Sequence, residues 1–185
     1  MFCVATVVIA AVVSAGSMPS VTVVYPDGGA VGPADAFSIK IGDAVWFEQS
    51  TPIWVTVEGV KHSTHPAAAD EALLKQQAVR EYTGNMYGQP GGGWGHFSAV
   101  ETTYIAGSTP FVATIKTFAS SGLVTFTQSF PAGATNTSYG GENSISSGFP
   151  AFQPKSLPGK TNTTQRRWMA YNGWVRAALG VPVAV

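Results

Sequence analysis

One stretch constrains the fold more than any other: FVATIKTFASSGLVTFTQSF, from Phe111 to Phe130. Phe111, Ala113 and Ile115 alternate with Thr114 and Lys116. Beyond Ser120-Ser121-Gly122 the alternation resumes, with Val124, Phe126 and Phe130 out of phase with Thr125, Thr127 and Ser129. A period of two marks a strand with one buried face, and a serine-glycine turn between two such runs makes a hairpin. Gln128 keeps the phase of Val124, Phe126 and Phe130, so its amide points to the apolar side and needs a partner there. It is either a core amide tied to backbone or a cleft residue.

Other short runs rich in strand-forming residues surround this hairpin. SVTVVY precedes Pro26-Asp27-Gly28-Gly29, AFSIKI precedes Gly42-Asp43, AVWFE follows, and IWVTVE precedes Gly59. Short strands at close spacing, separated by turn signals, predict a mainly all-β chain. The expected architecture is an antiparallel β-sandwich of jelly-roll or supersandwich type. One segment departs from the period: HPAAADEALLKQQAVREY has Pro66 at a possible first turn, Leu74, Ala78 and Tyr82 at i, i+4, i+8, and Glu71 four residues before Lys75. This spacing predicts one short helix near residues 66 to 82. The following TGNMYGQPGGGWGHF is too glycine-rich for regular structure and reads as a rim loop.

Two Phe-Pro corners punctuate the second half. Phe130-Pro131 ends the strong strand, because proline donates nothing to a ladder and restricts the residue before it, and Phe149-Pro150 repeats the device. Each phenylalanine is expected to anchor the core edge while residues 133 to 148 cross the surface as a rim loop.

The N-terminus reads MFCVATVVIAAVVSAG, uncharged and apolar up to small residues at Val13-Ser14-Ala15. It fits a secretory signal peptide spanning residues 1–15, with a buried first strand and an uncleaved anchor as the other readings. Residues 16–185 then form a single domain, a length that supports one real core. The apolar VPVAV ending is an odd natural terminus and reads as a C-terminal truncation. Cys3, the only cysteine, lies in the leader, so a cleaved chain has no thiol for a disulfide, a zinc-thiolate site or a nucleophile.

Charge narrows the function. Ten basic and ten acidic residues cancel, which argues against nucleic acid or, in the mature form, a membrane as partner. Charged residues are 11% of the chain, against about 25% in ordinary domains, and the hydroxyl-rich remainder suits an extracellular β protein. The carboxylates show no spacing that nominates an acid-base pair. His62 and His65 form an H-x-x-H without a nearby acidic ligand, and with His96 they read as solvated loop histidines, with no metal. No nucleophile elbow or phosphate-cradling loop occurs, and no cofactor is expected.

Aromatic residues are the remaining signal. Trp46 and Trp54 lie within strand patterns and read as core. Trp94 and Tyr87 are flanked by glycine and proline, with little core to enter, and rings there can stack on the apolar faces of sugars. His96, Gln128 and Asn136 are the hydrogen-bonding groups nominated beside them. Asn136-Thr137-Ser138 and Asn162-Thr163-Thr164 are also glycosylation sequons for a eukaryotic source.

GGGWGHFSAVETTY, TFTQSFPAGATNTS and ISSGFPAF, spread over about residues 91 to 152, together resemble the N-terminal β-sandwich that precedes the catalytic barrel of some α-galactosidase-like glycosidases. The shared features are the Gly-x-Phe entry at Gly95 to Phe97, the long hairpin, the F-x-Q-x-F-P-x-G corner from Phe126 and the Phe149-Pro150 corner. In such enzymes the catalytic carboxylates belong to the barrel, so the resemblance implies no catalytic residue here. It implies a secreted, carbohydrate-associated β-sandwich, the non-catalytic N-terminal part of a larger glycoside hydrolase, with a C-terminal barrel and carbohydrate as partners. The opposing reading is a free-standing lectin-like or adhesive extracellular domain, and a self-contained hydrolase comes third.

Overall fold

A computed structural model describes residues 4–10, 20–26, 36–49, 52–86, 94–137, 147–154, 170–172 and 176–178. Its strands are β1 (Val4–Ala10), β2 (Val21–Val24), β3 (Ser38–Ile41), β4 (Ala44–Gln49), β5 (Trp54–Val57), β6 (Val60–Ser63) and β7 (Ala72–Met86). They continue with β8 (Gly95–Ala106), β9 (Thr109–Phe118), β10 (Leu123–Ser129), β11 (Phe152–Pro154), β12 (Ala170–Asn172) and β13 (Arg176–Ala178). A seven-stranded sheet runs β1-β10-β9-β8-β7-β6-β5 and curls into a half-barrel, a four-stranded sheet runs β11-β4-β3-β2, and β12 pairs with β13. Mainly β is therefore the fold class. The pairings are antiparallel except for one short departure, where His62 and Ser63 of β6 run parallel to Ala72 and Leu73 of β7.

The hairpin read from the alternation is β9–β10, with Val124 opposite Thr117 and Gln128 opposite Ala113. Gly122 in its turn has φ +59°, a left-handed value that glycine adopts without steric cost. The runs SVTVVY, AFSIKI, AVWFE and IWVTVE supply β2, β3, β4 and β5.

The segment expected to be helical is strand. Among the described residues no helix occurs, and Ala72–Met86 is instead a fifteen-residue strand that pairs with β8 from Leu74↔Ala106 to Met86↔Gly95. Tertiary pairing outweighs the weak helical preference of its alanines and glutamines. A bulge between Gln76 and Ala78 changes the strand's phase, so the i, i+4 spacing of Leu74, Ala78 and Tyr82 has no common face. Leu74 is buried in the core, Ala78 is exposed, and Tyr82 is half-buried on the other side of the sheet. Pro66 lies in the preceding loop. Glu71 pairs there with Lys61 of β6 and accepts from the Ala67 amide at 2.8 Å, in place of the helical partner Lys75. The Lys61 hydrogen bond, then the Ala67 amide, hold its pKa below the usual carboxylate value. The glycine-rich segment expected to lack regular structure is also partly strand, since Thr83–Met86 closes β7 and Gly95–Phe97 opens β8.

The two larger sheets share a core. Phe37, at the entry to β3, stacks on Phe126 of β10 at 5.6 Å between centroids, and Phe149 and Phe152 meet Phe126 edge-on at 6.1 and 5.3 Å. Each fully buried large apolar side chain contributes about 1.5–3 kcal/mol, and Ile39, Ile53, Phe111 and Phe126 are all of this kind. Both corner phenylalanines enter this cluster, Phe130 at 8% and Phe149 at 4% exposure. Trp46 and Trp54, expected in the core, are only half-buried.

The backbone of Val4–Ala10 pairs antiparallel with β10, at one end of the large sheet's strand order. No helix among the described residues is long and apolar enough to cross a membrane.

Candidate functional site

The sheet face turned toward the core carries Val100, Thr102 and Tyr104 from β8 with Ala113 and Ile115 from β9. Phe97 and Phe118 are each three residues out of that phase, and three steps along a strand invert the face. They therefore lie on the opposite side, where an aromatic row crosses the sheet. Tyr82 meets Phe97 edge-on at 6.0 Å, Phe97 meets Phe118 at 5.5 Å, and Trp94 stands at 82° to Phe118 at 5.6 Å. Phe118 is fully buried beneath its neighbours, whereas Trp94 is 40% exposed. Val60, Leu73 and Trp94 are the exposed large apolar side chains among the described residues, and Trp94 is the aromatic one.

Local geometry fixes Trp94 at the rim. Gly95 has φ +83°, so the chain turns sharply between the tryptophan and β8. From the β9–β10 turn, the Ser121 hydroxyl donates to the Trp94 carbonyl at 3.4 Å. Two cations cover the inner rings of the row. Lys116 Nζ lies 4.8 Å from the Phe97 centroid, and the Arg80 guanidinium 5.0 Å from that of Tyr82. Arg80 Nε also pairs with Glu101 Oε1 at 2.9 Å. Burial first, and then the charge of Glu101, raise the Tyr82 pKa, while Arg80 opposes them. The phenol stays neutral at physiological pH.

The nominated residues are not gathered in one place. Trp94 and His96 share the β7–β8 end of the large sheet, with His96 exposed on the core-side phase of β8. Tyr87 lies outside the described residues. Gln128 pairs with Ala113, which pairs with Thr102, and so stands about 20 Å along β8 from His96 at about 3.3 Å per residue. Its Oε1 accepts from the Ser147 hydroxyl at 2.6 Å, and Ser147 bridges to Val55 of β5, so this amide ties the returning chain to the sheet. Asn136 is exposed with φ +47°, and its carbonyl accepts from Gly59 in the β5–β6 turn at 2.9 Å.

His62 departs from the solvated reading. It is 7% exposed in β6 with its ring beside Gly107, whereas His65 is exposed in the loop. Among the described residues no three His, Cys, Asp or Glu side chains are grouped as a metal would require.

The outer row, Tyr82, Phe97, Phe118 and Lys116, was not among the sequence-derived candidates. Its signal is present, since Phe118 falls in phase with Lys116 and out of phase with Phe111, Ala113 and Ile115. A phenylalanine in the phase of a lysine marks apolar packing on the second face. Comparison with protein-family models, with curated proteins and with solved structures finds no match for this chain.

Proposed function

We propose that this chain is a non-catalytic, carbohydrate-binding β-sandwich of a secreted protein, acting as the N-terminal part of a larger glycoside hydrolase. The observation that carries the binding reading is Trp94. Its indole is 40% exposed at the end of an aromatic row whose other rings are covered by Lys116 and Arg80 or buried. It is thus the most exposed ring in the row, with surface for the apolar face of a sugar, while His96, exposed two residues on, takes the opposite phase of β8 and meets such a sugar only around the sheet's end. Gln128 and Asn136 have structural partners elsewhere and drop out of this site.

The sandwich reading is supported by the stacked contact between Phe37 and Phe126, which belong to different sheets. Secretion rests on the apolar leader and the low charge, and the accessory role on the resemblance over about residues 91 to 152.

The test is retention of the purified chain on a panel of immobilised polysaccharides, beside an aryl-glycoside hydrolysis assay. The proposal expects retention without turnover. Failure to bind any glycan contradicts it, and so does turnover abolished by a single carboxylate substitution.

A further inference from the structure

On the core side of the same strands, a cleft of about 390 Å³ opens between the large sheet and the end of β2. This is the small end of the usual range for ligand pockets, about 300–1,000 Å³. Two cross-strand rows line it. Thr83, Ser98 and Thr117 are register partners across β7, β8 and β9, which sets three hydroxyls in line. Two residues further along, the row reads Glu81, Val100, Ile115, a carboxylate followed by two apolar side chains.

Tyr25, just beyond β2, closes the opposite side. It is only 5% exposed, yet its hydroxyl has no hydrogen-bond partner among the described residues. Desolvation first, and then the charge of Glu81, push its pKa up, so it is a neutral donor at any physiological pH. The phenol therefore feels the carboxylate without being hydrogen-bonded to it. An unpaired buried hydroxyl is costly, and such groups in a native fold call for a partner.

We propose that this cleft is a second binding site, separate from Trp94, for an uncharged, hydroxyl-rich ring of monosaccharide size. One ligand hydroxyl serves both the buried Tyr25 phenol and the exposed Glu81 carboxylate, accepting from Tyr25 and donating to Glu81 through the same oxygen. The row of Thr83, Ser98 and Thr117 serves neighbouring hydroxyls as donor or acceptor, and Val100 and Ile115 meet the C–H face. Among the described residues no cation lines the cleft, so an anionic sugar meets Glu81 uncompensated. The site stands on this cleft alone, and loss of binding at Trp94 leaves it intact.

The experiment is amide chemical-shift titration of the full chain with methyl galactoside, methyl glucoside and methyl mannoside, and with galacturonate as the anionic control. Neutral sugars should shift the amides of Glu81 to Thr83, Ser98 to Val100 and Ile115 to Thr117, with a Kd of about millimolar. Galacturonate should bind about tenfold more weakly, and Glu81→Gln should narrow that gap. Tyr25→Phe should weaken neutral-sugar binding about tenfold while raising the melting temperature, a combination that a purely structural tyrosine would not give. Trp94→Ala should leave these shifts unchanged. The inference is overturned if no neutral sugar shifts these amides at about fifty times a millimolar Kd, if galacturonate binds equally well, or if Tyr25→Phe binds like the wild type. Cleft shifts that vanish in Trp94→Ala would assign the binding to the rim and overturn a separate site.

Discussion

Phe97 of β8 stands directly across from Gly84 of β7, and a Cβ built on that glycine would come within 2.6 Å of the ring's Cζ. The ring occupies the space that the missing side chain leaves. From there it reaches Tyr82 on one side and Phe118 on the other.

Gly84→Ala should therefore destabilise the fold although alanine is the better residue for the unfolded-state entropy. Moving Phe97 disturbs contacts with two rings, an overpacking cost of about 1–3 kcal/mol that exceeds the 0.4–1 kcal/mol gained by removing a glycine. Chemical denaturation of both proteins checks the sign. A more stable alanine variant would show that Phe97 moves aside freely.

Gly148 presents a tighter approach. A Cβ there would lie 2.2 Å from Trp54 Nε1, while the Gly148 amide donates to the Trp54 carbonyl at 2.8 Å and its own carbonyl accepts from Gln49 at 3.2 Å. Gly148→Ala must displace either the indole or a backbone held at both ends, so it should cost more than Gly84→Ala. The order of the two melting temperatures is the readout.

Alkaline stability follows from the two raised tyrosines. Tyr25 is raised chiefly by burial and then by Glu81, and Tyr82 by burial and then by Glu101. The unfolded chain releases these protons near pH 10 and the folded chain only at higher pH, so their contribution is complete below about pH 10 and is lost as pH rises beyond it. Tyr25→Phe should flatten that limb of the stability profile. At neutral pH it should add about 1 kcal/mol by removing an unpaired buried hydroxyl. An unchanged alkaline limb would contradict the assignment.

The acid limb has a different owner. Glu71 is held below its usual pKa, first by Lys61 and then by the Ala67 amide, so its contribution is present above the ordinary carboxylate value and is lost as pH falls through the lowered one. Glu71→Gln should reduce the acid dependence of unfolding and leave the alkaline limb alone. Urea midpoints measured from acid to neutral pH test this.

The strands with a clean period of two were legible in the sequence. In β9–β10 alternation, turn and core agree, and Phe130 and Phe149 anchor the core as their Phe-Pro corners imply. β7 was not legible. Its Ala- and Gln-rich start favours helix locally, and the bulge at Gln76–Ala78 breaks the alternation that would have marked a strand. Gln128 could be narrowed to a tied amide or a cleft residue, but its partner Ser147 is nineteen residues away and follows only from the fold. Trp94 was legible as a ring in a glycine-rich setting. Its support on Phe118 depends on which face each strand presents, and the cleft beneath Tyr25 depends on how two sheets meet, which no local pattern records.

The account rests on the exposed face of Trp94, and the most direct test is calorimetric titration of the best-retained oligosaccharide into wild type, Trp94→Phe and Trp94→Ala, with a thermal melt of each. A stacked ring is worth about 1 kcal/mol, close to a fivefold change in Kd. Trp94→Ala should weaken binding by about that factor or more, Trp94→Phe should fall between, and all three should remain folded. Equal affinities in three folded proteins would contradict the account and leave Trp94 as no more than a cover for Phe118.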